Sequence, residues 1–247
     1  MLKVARRLSV IAAAALPAAI ATVLAFSPSS DHARAMAAAP LANSQPVLVE
    51  LYQSQGCSDC PPANALLSQL ADRPGVIALN FSVTYWDYLG WKDSFAKAQF
   101  TARQHDYANR NGIGTVYTPQ FWINGSKTVI GSKTTDVYAD IGLARLSGPT
   151  LSIRDHILAI GRGQAPSGGA DIWMAQFDPR IINVPIRSGE NGGRTLPHRN
   201  IVRALINIGK WRGSDQRITL PAKPQNLETA VFLQAERGGP IIAATRG

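Results

Sequence analysis

Residues 46–67 read PVLVELYQSQGCSDCPPANALL and hold both cysteines of the 247-residue chain. The apolar run Val47-Leu48-Val49-Glu50-Leu51-Tyr52 lies between Pro46 and the turn-forming Ser54-Gln55-Gly56, the pattern of a strand buried on both faces. Cys57 and Cys60 follow at once. Behind them, Ala63 to Leu70 sets Leu66, Leu67 and Leu70 on one side of a helix that Pro74-Gly75 ends. The two thiols therefore stand where a strand hands over to a helix.

The segments beyond repeat this alternation. Val76 to Val83 reads as a second strand and leads into an aromatic loop, Tyr85 to Trp91. Ser94 to about Asn109 has helical spacing, with Ser94 as cap and Phe95, Phe100 and Tyr107 as anchors. Gly112 and Gly114 close that helix. Tyr117-Thr118-Pro119 precedes a strand, Gln120 to Ile123, and Asn124-Gly125 turns it into a partner strand, Lys127 to Ile130. A last helix runs from Thr134 to about Leu146 and stops before Gly148-Pro149. This order predicts an α/β unit, a mixed sheet flanked by helices on both faces.

After Pro149 the pattern changes to short strand-like runs: Leu151 to Ile160, Ala170 to Phe177, Ile181 to Arg187, Arg199 to Trp211, Gln216 to Leu220, Thr229 to Ala235 and Ile241 to Thr245. Their spacing predicts a smaller, mainly antiparallel, sandwich-like β domain. The expected division is 1–35 as signal peptide or anchor, 36–45 as linker, 46–148 as the α/β domain and 149–247 as the β-rich domain.

The amino terminus carries Lys3, Arg6 and Arg7, then an apolar run from Leu8 to Phe26, then Ala33-Arg34-Ala35 as a cleavage signal. The same run is long enough to serve instead as an uncleaved membrane anchor. Removing residues 1–35 takes away Lys3, Arg6, Arg7, Arg34 and Asp31 and lowers the formal charge from +9 to +6. Arg187, Arg194, Arg199, Arg203, Arg212 and Arg217 alternate with apolar residues as on a solvated strand face, and no nucleic-acid motif accompanies them. Export would place Cys57 and Cys60 where disulfides form and persist.

A structural zinc site needs four ligands, and His32, His105, His156 and His198 are scattered along the chain. A redox pair fits the position better. A helix start favours the thiolate, and two intervening residues let one sulfur resolve the mixed disulfide made by the other. Cys57, ahead of the helix, is the expected attacking thiol and Cys60 the resolving one. Thr118-Pro119, opening a strand of the same unit, is expected to be cis, leaving backbone groups free for an extended peptide.

VELYQSQGCSDCPPANALL, SVTYWDYLGWKD, YTPQFWING and SGENGGRTLPHRNIVR together resemble the secreted bacterial thioredoxin-like family called domain of unknown function 1223, within the thioredoxin superfamily. The resemblance runs from about residue 46 to the end. It implies a thioredoxin-like fold, export and thiol-disulfide activity, with Tyr117, Thr118 and Pro119 at the substrate. It also implies a buried acid on the strand before the cysteines, a place that Glu50 matches, to help move the Cys60 proton; an acid at a strand edge is the alternative reading.

Asp59 departs from the thioredoxin-like pair between the cysteines. Its charge opposes thiolate formation and predicts a Cys57 pKa only modestly below the free-thiol value of ~8.5. Pro61-Pro62 is a second departure and predicts a later helix start. The aromatic loop, with Trp86 and Asp87, reads either as interdomain packing or as a cover over the cysteines. Gly189 to Arg194, with Glu190 and His198 nearby, reads as a glycine-dependent turn or as a loop that reaches the CxxC site, His198 or Arg194 supplying a proton or an anion contact.

Three functions follow. The first is an exported, periplasmic or secreted thiol-disulfide oxidoreductase that needs no cofactor beyond the Cys57/Cys60 disulfide. It would act on a protein or small thiol substrate and exchange electrons with a separate redox partner, with no nucleic-acid partner and membrane contact only through an uncleaved amino terminus. The second is a copper-binding protein or metallochaperone with Cys57, Cys60 and His198 as ligands. The third is a non-catalytic scaffold.

Overall fold

The structure is a computed structural model that describes residues 45–247. The expected leader, 1–35, and nearly all of the linker lie outside the described residues. Among those described, no helix is long and apolar enough to cross a membrane.

The α/β half consists of β1 (Val47–Gln53), α1 (Cys60–Leu70), β2 (Val76–Ser82), α2 (Ala98–Arg110), β3 (Gln120–Ile123), β4 (Lys127–Ile130) and α3 (Thr134–Leu143). β1 and β2 are parallel, β3 is antiparallel to β1, and β4 to β3. All seven residues of β1 and of β2 are buried, the polar Glu50, Gln53, Asn80 and Ser82 among them. Asn124 and Gly125 both take positive φ, 47° and 62°, in a tight turn closed by the bond from Ser126 N to Ile123 O at 3.2 Å, after which Ile123 pairs with Lys127. The Asn124 carboxamide oxygen also accepts the Leu48 amide at 2.9 Å, joining the turn to β1.

Two helix starts differ from the sequence reading. α1 begins at Cys60 itself, because Pro61 and Pro62 fall in the first turn, where amides have no intrahelical acceptor and proline costs nothing. α2 begins at Ala98 rather than Ser94. Phe95 lies before the helix in the connecting loop, and the Ser94 hydroxyl accepts from the Gln55 side chain instead of capping.

The carboxy-terminal half supplies β5 (Leu151–Arg154), β6 (Ile157–Ile160), β7 (Ala170–Asp178), β8 (Ile182–Pro185), β9 (Thr195–His198), β10 (Ile201–Trp211), β11 (Gln216–Thr219), β12 (Glu228–Ala235) and β13 (Ile241–Arg246). The expected strand from Leu151 to Ile160 is in fact the β5–β6 hairpin, turned at Asp155 and His156 with φ of 48° and 61°. β9 was not visible as a strand because Pro197 interrupts its apolar pattern.

One eight-stranded sheet, ordered β13-β12-β7-β10-β2-β1-β3-β4, crosses the expected domain boundary. The join is short: Ile201 pairs with Asn80, the Asn80 amide donates to Asn200 O at 2.9 Å, and the Asn200 side chain donates to Ala78 O at 2.7 Å. On one face Phe100 and Tyr107 of α2 pack in a single core with Leu48, Tyr52 and Phe81 from the first half and Phe177, Val202 and Phe232 from the second. The other face is divided. Leu66, Leu67 and Leu70 of α1 cover Val49 and Leu51, while Leu158 and Ile160 of the small β11-β6-β5 sheet cover Ile172, Met174, Val231 and Leu233. That second packing is the sandwich-like layer.

Candidate functional site: the cysteine pair and its cover

The site forms where β1 ends and α1 begins. Main-chain bonds from Cys57 N to Ser54 O and from Cys60 N to Cys57 O, both 3.2 Å, wind the CxxC into the turn that enters the helix. Both cysteines are free thiols and buried, each 1% exposed. The Cys57 Sγ faces the Thr118 carbonyl at 3.8 Å, across the cis Thr118-Pro119 bond.

The two thiols differ in acidity. A hydrogen bond from Cys60 is the main influence holding Cys57 below its ordinary value; burial opposes it, and the Thr118 side chain and the Asp59 amide assist. The Asp59 charge works against the thiolate, as expected, without reversing the direction. Cys60 is pushed well above its ordinary value, first by burial and then by the same bond to Cys57. Asp59 is exposed at the N-cap and makes no capping bond with its side chain.

Around Pro119 the packing is tight. A Cβ placed on Gly131 would lie 2.6 Å from Pro119 Cβ and 2.8 Å from Ala63 Cβ. Gly131 thus lets β4 bring Pro119 against the cysteine-bearing helix, a role the sequence reading missed. Tyr117 contributes through its carbonyl, which accepts from Gln104 Nε2 at 2.8 Å.

Glu50 is placed elsewhere. It shares the strand face of Leu48 and Tyr52, whereas Val49 and Leu51 face α1, so successive side chains put the carboxylate on the far side of the sheet. There it accepts from Arg103 Nε at 2.9 Å and from the Tyr107 hydroxyl. Arg103 also donates to Gln234 Oε1 at 2.8 Å, so Glu50 anchors a bridge between the halves and is not aimed at Cys60.

The buried acid on the cysteine side is Asp93. Its carboxylate accepts the Gln55 and Phe95 amides, both at 2.8 Å, and burial raises its pKa to about 6. From the cysteine helix a polar chain runs inward. Asn64 Nδ2 donates to Cys60 O at 3.3 Å and to Gln53 Oε1 at 3.1 Å, and Gln53 Nε2 donates to Ser82 Oγ at 2.8 Å. No motif marks these residues in the sequence, since they meet only through the sheet.

The aromatic loop lines the site. Trp86 Nε1 donates to Thr118 Oγ1 at 2.7 Å and Trp91 Nε1 to Gln55 Oε1 at 2.9 Å. Asp87 braces that loop by accepting the Asp93 amide at 3.1 Å. The Tyr85 phenol is pushed up, mainly by burial and further by the nearby cysteines, and it donates to Gln104 Oε1 at 3.2 Å.

The 189–194 loop reaches the cysteine loop through Glu190 and through Asn191, which the sequence did not single out. Asn191 Nδ2 donates to Gln55 O at 2.9 Å and to Cys57 O at 2.8 Å, and Glu190 Oε2 accepts from Ser58 N and Oγ at 3.0 and 2.7 Å. Arg194 supports Asn191 by donating to its Oδ1 at 2.5 Å. His198 is buried with its ring against Phe95 and its Nδ1 at 3.1 Å from Leu196 O, and burial lowers its pKa to about 4. The ligand set Cys57, Cys60 and His198 is therefore not assembled; among the described residues no three His, Cys, Asp or Glu side chains are gathered to hold a metal.

The family described as Protein of unknown function (DUF1223) matches residues 48–234, a span that includes the CxxC, the cis-proline strand and the 189–194 loop. The chain belongs to the DUF1223 family. A crystal structure of protein AGR_C_4864 from Agrobacterium tumefaciens is similar at 30% identity and a TM-score of 0.71, over 82% of this chain and 94% of that one. HBP35 of Porphyromonas gingivalis shares the fold at 10% identity and a TM-score of 0.53, over 83% of this chain and 75% of that one. None of the curated proteins matches this DUF1223 chain.

Proposed function

We propose that this chain is an exported thiol-disulfide oxidoreductase acting through Cys57 and Cys60. The observation that carries the reading is the asymmetry of the pair: a Cys57 thiol lowered by its bond from Cys60, beside a Cys60 thiol raised by burial, both against the Thr118-Pro119 strand. Export rests on the amino-terminal pattern of residues 1–35.

In the reducing direction, the Cys57 thiolate attacks one sulfur of a substrate disulfide. The Cys57–substrate bond forms as the substrate S–S bond breaks and the other substrate sulfur leaves as thiolate. Cys60 then attacks Cys57 Sγ, its proton passing to a departing substrate sulfur. The Cys57–Cys60 disulfide forms, the second substrate thiol is released, and two electrons have moved to the substrate. A separate dithiol partner returns the electrons; with a disulfide partner the sequence runs in reverse and oxidises substrate thiols. Glu50 is engaged across the sheet by Arg103 and Tyr107 and takes no part in moving the Cys60 proton.

Redox titration of the mature protein in dithiol/disulfide buffers tests this. A two-electron couple that disappears in Cys57→Ser is the expected result. Stoichiometric Cu(I) binding without disulfide exchange would replace the reading with that of a metal carrier, and a Cys57 inert under both regimes would leave a scaffold.

A further inference from the structure

An attacking thiol has to meet a substrate sulfur, yet Cys57 is only 1% exposed. A distant stretch of chain is bonded to the main chain on either side of this thiol. β8 and β9 pair as a hairpin, and the loop between them is closed by bonds from Ile186 N to Arg194 O and from Gly193 N to Ile186 O, both 2.8 Å. Its tip is held at three places. Ser188 Oγ donates to Gly90 O at 2.5 Å, Glu190 accepts two bonds from Ser58, and Asn191, itself fully buried, bridges the carbonyls of Gln55 and Cys57. Gly189 and Gly193 flank the tip with φ of 76° and 82°, a backbone that side-chain-bearing residues seldom adopt.

We propose that the Gly189–Arg194 loop controls access to Cys57, with Glu190 and Asn191 as the residues that set which substrates reach it. The inference rests on Cys57 being the reacting thiol of the proposed function. The anchors are unequal. Glu190 and Ser58 meet at the exposed rim, where water competes for every bond, whereas the Asn191 amide satisfies two carbonyls out of solvent. Release therefore begins at Glu190, and the loop swings on its two glycines. Closed, the loop excludes a disulfide borne on a folded protein; open, it exposes Cys57 beside the Thr118 backbone. Substrate size is thus read by the second half of the chain, while the chemistry belongs to the first.

The test uses the mature full-length chain carrying Cys60→Ser, so that Cys57 is the only thiol. Its alkylation is timed with iodoacetamide and with the same iodoacetamide group on a long polyethylene glycol, in native buffer and in urea. The native ratio of bulky to small rates should fall well below the ratio in urea. Glu190→Ala should raise the bulky rate roughly ten-fold, the loss of two rim hydrogen bonds, with a smaller gain for iodoacetamide. Ser58→Ala, which removes only the hydroxyl bond, should act in the same direction and less. Equal ratios in native buffer and urea would overturn the proposal. So would an equal acceleration of both reagents, which marks a changed thiolate fraction, or no acceleration of either. A failed redox couple would sink the proposed function while leaving these ratios unaltered, so the two failures are told apart.

Discussion

Asp93 and His198 are buried titratable groups whose pKa values shift in opposite directions. The Asp93 pKa rises from 3.8 to about 6, so the folded protein holds that proton more tightly, and the stability it contributes is full below 3.8 and lost as pH rises through 6. The His198 pKa falls from 6.5 to about 4, so its contribution is full above 6.5 and lost as pH falls through 4. Each amounts to roughly 3 kcal/mol, and the two nearly cancel between pH 4 and 6.5. In urea midpoints measured across this window the two contributions should offset each other in the natural chain. Asp93→Asn should lose stability as pH drops from 7 to 4, and His198→Gln should gain it; any constant offset from disturbed amide contacts leaves those slopes untouched. At the cysteines, the pH dependence of iodoacetamide labelling should place the Cys57 midpoint below the free-thiol value of ~8.5, with Cys60 unlabelled in the same range. The direction of the Cys57 shift was legible from its place at a helix start. Its main cause, the bond from Cys60, was not, because a CxxC does not state which sulfur donates.

At the level of elements, the close approach of β4, Pro119 and α1 turns on Gly131. Gly131→Ala should cost ~1–3 kcal/mol by overpacking, since Pro119 and Ala63 would both have to give way, and disulfide exchange should slow with it. Gly142→Ala in α3 is the control: nothing lies within 4 Å of its added Cβ, and it should stabilise by ~0.5–1 kcal/mol through helix propensity. Thermal or urea unfolding of the two variants should move in opposite directions. The β3–β4 hairpin was legible to the residue, because Asn124-Gly125 carries its own positive-φ chemistry. The start of α2 was not, because Ser94 is a sound local cap that Gln55, from the cysteine loop, engages first.

Across the whole molecule, Arg103 binds the halves together. It sits in the shared core, donates to Glu50, Tyr107 and Gln234, and lies over the rings of Tyr107, Trp173 and Phe232. Arg103→Met leaves the Glu50 carboxylate buried without its partner and should cost ~3–5 kcal/mol, most of it recovered by adding Glu50→Leu. Because one sheet and one core span residue 148, urea unfolding should follow a single transition by both near- and far-ultraviolet circular dichroism. A fragment of residues 46–148 should fail to fold alone, since the sheet edge at β2 and the Phe81–Phe100 face would lose their partners.

Local chemistry settled the CxxC at a helix start, the Asn-Gly hairpin and the alternation of strand and helix, because each depends on residues a few positions apart; the cis state of Thr118-Pro119 was an expectation from the fold context. Strand parity also told that Glu50 must point the opposite way from Val49 and Leu51. Which of those faces would meet the cysteine helix depended on how the helices close on the sheet, and the assignment of Glu50 to an interdomain bridge on the contact of Arg103 with Gln234. The same holds for Asp93 beneath the cysteine loop and for Glu190 and Asn191 above it. Those contacts join residues tens to more than a hundred positions apart, and a burial pattern along the chain carries no record of which distant surface completes it.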